Sequence, residues 1–150
     1  MPSPARPQLE LTVQYRVPRE GLPSPARFRR WASAGLVEDA QVTLRLVGEN
    51  EGRALNRNYR GKDYATNVLT FPYADTAVLS GDIAVCVPVV LHEARSLSKA
   101  PDAHFAHLVV HGMLHLQGFD HEVPEEAELM ETIETEIVTR LGYDDPYEQG

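Results

Sequence analysis

An α+β or mixed α/β domain, with about four strands and helices packed against them, is what this sequence predicts. Segments that alternate polar and apolar residues, the period of a half-buried strand, recur between segments with helical spacing. Proline and glycine stand where helices would start and stop. At 150 residues the chain is long enough for one domain with a buried core.

The elements follow in order. Residues 1–8, with prolines at 2, 4 and 7, are expected to form a flexible arm, and 9–147 one domain. LELTVQYRV at 9–17 alternates and reads as a strand. Ser24-Pro25 is an N-cap followed by proline at the first helical position, and Gly35 closes that helix, with Phe28, Trp31 and Ala32 inward. QVTLRLVG at 41–48 is a second alternating strand. Residues 50–59 read as a helix with Ala54, Leu55 and Tyr59 as its apolar stripe. TNVLTFP at 66–72 and SGDIAVCV at 80–87 are two further strands. Pro88 opens a helix to about Ser98, and Asp102 is expected to cap the next one. Phe105, Leu108, Val109, Leu114 and Leu116 surround that helix with apolar groups, which places it centrally. Pro124-Glu125-Glu126 starts a final acidic helix with Leu129, Met130, Ile133, Ile137 and Leu141 inward. The order is βαβαββααα, without repeats or an interdomain linker.

Bulk properties narrow the function. No apolar stretch approaches the length of a membrane span, and MPSPARPQ lacks the apolar core of a signal peptide. The lone cysteine, Cys86, excludes an intramolecular disulfide and reads as a small buried hydrophobe. A cytoplasmic location fits these features. The net charge of −8 opposes simple electrostatic binding to nucleic acid, but it is unevenly spread. Residues 1–62 carry a balance of +5 and residues 63–150 one of −13. One half could therefore face a polyanion while the other stays solvated, unless this is ordinary surface charge.

His111, His115 and His121 form H-x3-H-x5-H in HGMLHLQGFDH. Residues four apart on a helix lie on one face, one turn above the other. Gly118 stands where that helix would end, so the chain can turn back and bring His121 to the same point. Three convergent imidazoles suit one zinc ion per chain with an open fourth position. The spacing matches the long metalloprotease motif except at the residue after the first His. There a peptidase keeps the Glu that activates the metal-bound water, and here stands Gly112. Gly112 either leaves room near the metal or lets another element pack closely. Without the Glu, peptide hydrolysis is disfavoured, whereas a phosphodiester needs charge stabilisation above all. Arg57, Arg60 and Lys62 supply cations just ahead of a strand, with Gly61 marking a loop. Arg60 is placed to hold a phosphate through two parallel bonds, against the alternative of a solvated basic turn.

HGMLHLQGFDH, NRNYRGKDYATNVLTFP and SGDIAV, in this order, resemble the YbeY family of bacterial rRNA-maturation endoribonucleases. The resemblance runs from about residue 40 to Tyr147 and includes LGYDDPYE. It implies an α+β domain with a mixed, mostly parallel four-stranded sheet and a central metal-binding helix like that of zinc proteases. It also implies metal-dependent cleavage of single-stranded RNA, in maturation of the small-subunit rRNA 3′ end and in ribosome quality control. Carried over, the zinc ligands are His111, His115 and His121, and the arginine implicated in activity is Arg60. Family members commonly carry Asp or Asn at the position of Asn67, and Tyr or Phe at that of Phe119.

Other residues have two readings each. His107 continues the histidine ladder and is either a support for the ligands or a satisfied core histidine. Asp120 either orients a ligand imidazole through its second nitrogen or satisfies the turn. His104 is expected at the surface. Arg57 and Lys62 are expected to touch RNA. Tyr59 and Phe71 could stack bases, with core packing as the default. The sequence thus points to a zinc-dependent, single-strand-specific endoribonuclease acting on rRNA precursors and the small ribosomal subunit. The alternatives are a non-catalytic ribosome-assembly factor with zinc as a clamp, and a peptidase-like hydrolase with another base.

Overall fold

In the computed structural model, which describes residues 6–120 and 122–147, the alternating segments form one sheet. The arm expected at 1–8 lies partly outside the described residues; Gln8, at its end, is tied to Asp39, its backbone N–H donating to Oδ1 at 2.8 Å. The strands are β1 (Leu9–Tyr15), β2 (Ala40–Val47), β3 (Val68–Pro72) and β4 (Leu79–Cys86). Their order in the sheet is β1-β2-β4-β3. β1, β2 and β4 run parallel, and β3 pairs antiparallel with β4. Parallel neighbours cannot be joined by tight turns, which is why α1 (Pro25–Ala34) and α2 (Glu49–Arg60) fall between strands. Three helices follow β4: α3 (Val87–Ser96), α4 (Pro101–Leu116) and α5 (Pro124–Arg140). This is the predicted mixed α+β arrangement.

Because strand side chains alternate, Val42, Leu44 and Leu46 of β2 share one face with Ile83 and Val85 of β4. That face is buried under α1 and α4. Phe28 meets its α1 neighbour Trp31 at 5.5 Å and Phe105 of α4 at 6.0 Å, both edge to face, and the second contact pins α1 to α4. Full burial of each such ring contributes about 1.5–3 kcal/mol, so these contacts fix the height of α4 over the sheet. The other side of α4 carries Val110 and Leu114 against Met130 and Val138 of α5. With α1, α3, α5, β3 and β4 all touching it, α4 is the central helix that its apolar surround predicted.

Several local expectations are corrected. β1 ends at Tyr15 rather than residue 17, ahead of the bend before Pro18. α4 begins at Pro101 behind Ala100, so Asp102 lies in the first turn, where it pairs with Arg27 at 2.9 Å instead of capping. Tyr59 is 57% exposed, because α2 buries Gly52 and Asn56 instead of the expected stripe. Asn56 donates to the Tyr64 carbonyl at 2.7 Å, holding the loop after α2. Leu129 is 56% exposed, and the buried line of α5 is Met130, Glu134 and Val138. His104, expected at the surface, is buried against Glu93.

Candidate functional site

His104, His107, His111 and His115 recur on α4 at intervals of three, four and four, so they share one face. The rings of His111 and His115 are 6.3 Å apart and nearly parallel, at 25°. After Leu116 the helix ends; Gly118 takes a φ of 103°, and the Phe119 N–H bonds back to the Leu114 carbonyl at 3.1 Å. Only glycine adopts that conformation without strain, so the turn expected from sequence is made here. It brings Asp120 back beside the helix, into the wall of a cavity shared with His111 and His115. His121 lies outside the described residues. Among those described, no three His, Cys, Asp or Glu side chains gather closely enough to hold a metal ion.

The strongest support for the imidazoles comes from α5. Glu134 is fully buried, and its carboxylate accepts hydrogen bonds from His111 Nδ1, from His107 Nε2 at 3.2 Å and from the Tyr147 hydroxyl. Burial alone would raise its pKa; the bonds from His107, His111 and Tyr147 outweigh that and hold it at about 2. Burial and the adjacent carboxylate in turn push the Tyr147 hydroxyl up. An ionised carboxylate only accepts, so His111 must carry its proton on Nδ1. His115 Nδ1 lies 3.0 Å from the Phe119 carbonyl, another pure acceptor, and carries its proton there too. In the neutral state both rings therefore present a lone pair on Nε2, the tautomer a metal requires.

The cavity measures about 500 Å³, within the range of small-ligand sites. It is lined by Tyr59 and Arg60 from the end of α2, by Val68, Leu69, Thr70 and Pro72 of β3, and by Asp120 and Glu122 beyond α4, together with His111 and His115. Arg60 is the last residue of α2, and Gly61 ends the helix with a φ of 70°. Of the three expected cations, Arg60 reaches the cavity, while Arg57 and Lys62 do not line it. Arg57 sits 3.9 Å from Asp63, which already takes Arg53 through bonds of 2.8 and 2.9 Å. His107 is bonded to Glu134 through Nε2 at 3.2 Å and lies 3.3 Å from the Tyr147 hydroxyl, while its Nδ1 is buried without a hydrogen-bond partner among the described residues.

Gly112 also has its explanation. A Cβ there would meet Ile83 Cγ2 at 3.1 Å and Val68 Cγ2 at 3.5 Å, so the position packs against the sheet. Three residues escaped the sequence reading: Glu134, Tyr147 and Glu93. Glu93 bonds His104 at 2.9 Å and Asn67 at 3.1 Å, tying α3, α4 and the start of β3 together. Among the described residues no helix is long and apolar enough to cross a membrane.

A mixed four-stranded sheet under a helix of paired imidazoles, opening on a cavity with an arginine at its rim, describes a hydrolase scaffold suited to an anionic substrate. Comparison with known proteins makes the assignment specific. The chain matches the Endoribonuclease YbeY family over residues 28–142 and belongs to it. It is 60% identical to an Endoribonuclease YbeY from Aromatoleum aromaticum, over 93% of both chains. It is 57% identical to one from Azoarcus sp. strain BH72, covering 94% of this chain and 60% of that longer relative. A solution structure of a Thermotoga maritima protein is similar with a TM-score of 0.55 and 27% identity, covering 94% of this chain and 99% of that one.

Proposed function

We propose that this chain is a zinc-dependent endoribonuclease that cleaves single-stranded RNA in maturation of the small-subunit rRNA, within the cytoplasm. The observation that carries the reading is the meeting of two elements in one cavity. His111 and His115 stand in tautomers set by Glu134 and the Phe119 carbonyl, and Arg60 lines the same cavity. Imidazoles held in this way suit zinc, and His111, His115 and His121 would hold it. A bound zinc ion would polarise a phosphoryl oxygen and acidify a water. Arg60 binds the scissile phosphate through its planar guanidinium. Val68, Leu69 and Pro72 form an apolar wall that strengthens that contact by excluding water. Glu134 keeps the His111 ring fixed throughout, and His107 and Tyr147 keep Glu134 fixed.

The packing at Gly112 leaves no space for the usual peptidase base at that position, and a casein-type assay with metal tests the alternative of a peptidase that uses another base. The decisive experiment is cleavage of single-stranded RNA by purified protein, with and without a chelator, beside His115→Ala and Arg60→Glu. The chelator and His115→Ala should abolish cleavage, with zinc lost from the variant. Arg60→Glu should lower cleavage by about tenfold or more while zinc content and unfolding stay near wild type. Full zinc occupancy with no cleavage of any RNA would favour the assembly-factor reading.

A further inference from the structure

Tyr59 is the residue that the cavity leaves without a role. It is one residue from Arg60, lines the same cavity and is 57% exposed. Its hydroxyl makes no hydrogen bond among the described residues, so neither burial nor polarity accounts for its placement. The ring meets Phe71 of β3 at 4.5 Å, tilted by 68°. With the residue 57% exposed, that contact leaves ring surface accessible from the cavity. The surrounding backbone is held: Asn56 bonds the Tyr64 carbonyl, and Arg53 clamps Asp63 across the same turn. Tyr59 thus presents an aromatic ring, packed edge to face on Phe71, beside Arg60 in the cavity.

We propose that Tyr59 stacks on a nucleobase next to the phosphate held by Arg60, forming a base subsite of the cavity. The inference rests on the single-strand nuclease reading and adds to it the means of selecting single strands. Stacking on an aromatic side chain needs a base free of its partner and its neighbours, a condition a duplex does not meet. Every base has a π-face, so the subsite tolerates sequence. Charge sets the direction of approach. Arg60, adjacent to Tyr59 in the chain and lining the same cavity, attracts the phosphate backbone to the Tyr59 ring.

The test uses the zinc-loaded full chain with two probes of equal length, a single-stranded oligoadenylate and an abasic ribose-phosphate oligomer, at one salt concentration. Tyr59→Ala should weaken oligoadenylate binding by about tenfold or more and leave abasic binding unchanged. Tyr59→Phe should recover most of the loss, because stacking uses the ring and not the hydroxyl. In Tyr59→Trp, oligoadenylate should quench the introduced indole and the abasic oligomer should not. The native Trp31 is only 1% exposed, so it contributes no such signal. Equal weakening for both probes would mean that Tyr59 merely shapes the Arg60 turn, and unchanged affinity would make it a plain surface aromatic; either overturns the proposal. If Tyr59→Ala is silent while Arg60→Glu still suppresses cleavage, stacking alone falls. If wild type cuts no RNA, the nuclease reading falls with it.

Discussion

Replacing Glu134 by glutamine tests whether the buried carboxylate sets the zinc affinity proposed for His111 and its partners. The substitution keeps shape and volume. One amide oxygen can still accept from His111 Nδ1, while the new amide group faces His107 and Tyr147. Both of those can adapt, His107 by moving its proton to Nδ1 and Tyr147 by rotating its hydroxyl. The Nδ1 atom of His107 is buried without a partner among the described residues, so that shift leaves one buried atom unpaired as before. What is lost is the negative charge behind His111. Loss of such an outer partner costs about 10–100-fold in metal affinity, or about 1.4–2.8 kcal/mol. Glu134→Ala would instead strand three polar groups at a fully buried site, at about 3–5 kcal/mol, a large part of an ordinary domain's stability. The glutamine variant is therefore the informative one. Zinc affinity would be measured by competition with a chromophoric chelator, beside urea unfolding of the metal-free protein. Glu134→Gln should bind zinc about 10–100-fold more weakly, with a smaller change in unfolding. Wild-type affinity in that variant would show that the carboxylate only fills space between α4 and α5, and the orienting argument would be wrong.

Two further predictions concern packing and charge. Gly112→Glu should not create peptidase activity. It should destabilise the chain by about 1–3 kcal/mol or more in urea, because the new side chain enters the contact with Ile83 and Val68; peptide hydrolysis by this variant would refute the placement. His104 has its pKa lowered, by burial first, with Glu93 only partly offsetting it. The unfolded chain therefore binds more protons there, and stability should fall as pH drops through the ordinary histidine value near 6.5. His104→Gln should flatten that part of the profile in metal-free protein, and an unchanged slope would count against it.

The parts legible in sequence were those written in local periodicity. β2 and β4 came within a residue of their expected bounds, and Ser24-Pro25 and Gly35 marked α1 because caps act over three or four residues. The buried polar pairs were not legible, because the partners that justify them are distant. Glu134 lies 23 residues from His111 and 13 from Tyr147, and Glu93 lies 11 from His104. In PEEAELMETIETEI one glutamate among many bears no mark of burial except its spacing of four from Met130 and from Val138. That spacing was the available signal, and the apolar stripe drawn through Leu129 obscured it. Tyr59 failed in the opposite sense. Its apolar stripe predicts core, but α2 packs through Gly52 and Asn56, and Tyr59 lines the cavity instead.

The charge division along the chain acquires a spatial meaning from the same cavity. Residues 1–62, with a balance of +5, contribute Tyr59 and Arg60 to its lining; residues 63–150, with −13, contribute Asp120 and Glu122. His111 and His115 of α4 line the same cavity. A polyanion meeting this cavity is attracted by the Arg60 guanidinium and repelled by carboxylates, so its approach depends on these few charges more than on the acidity of the protein as a whole. Net charge alone argues against nucleic acid because it averages over the whole surface. The relevant quantity is the field at the cavity mouth, and the local fold decides it: Gly61 ends α2 at Arg60, and Gly118 turns the chain so that Asp120 faces back.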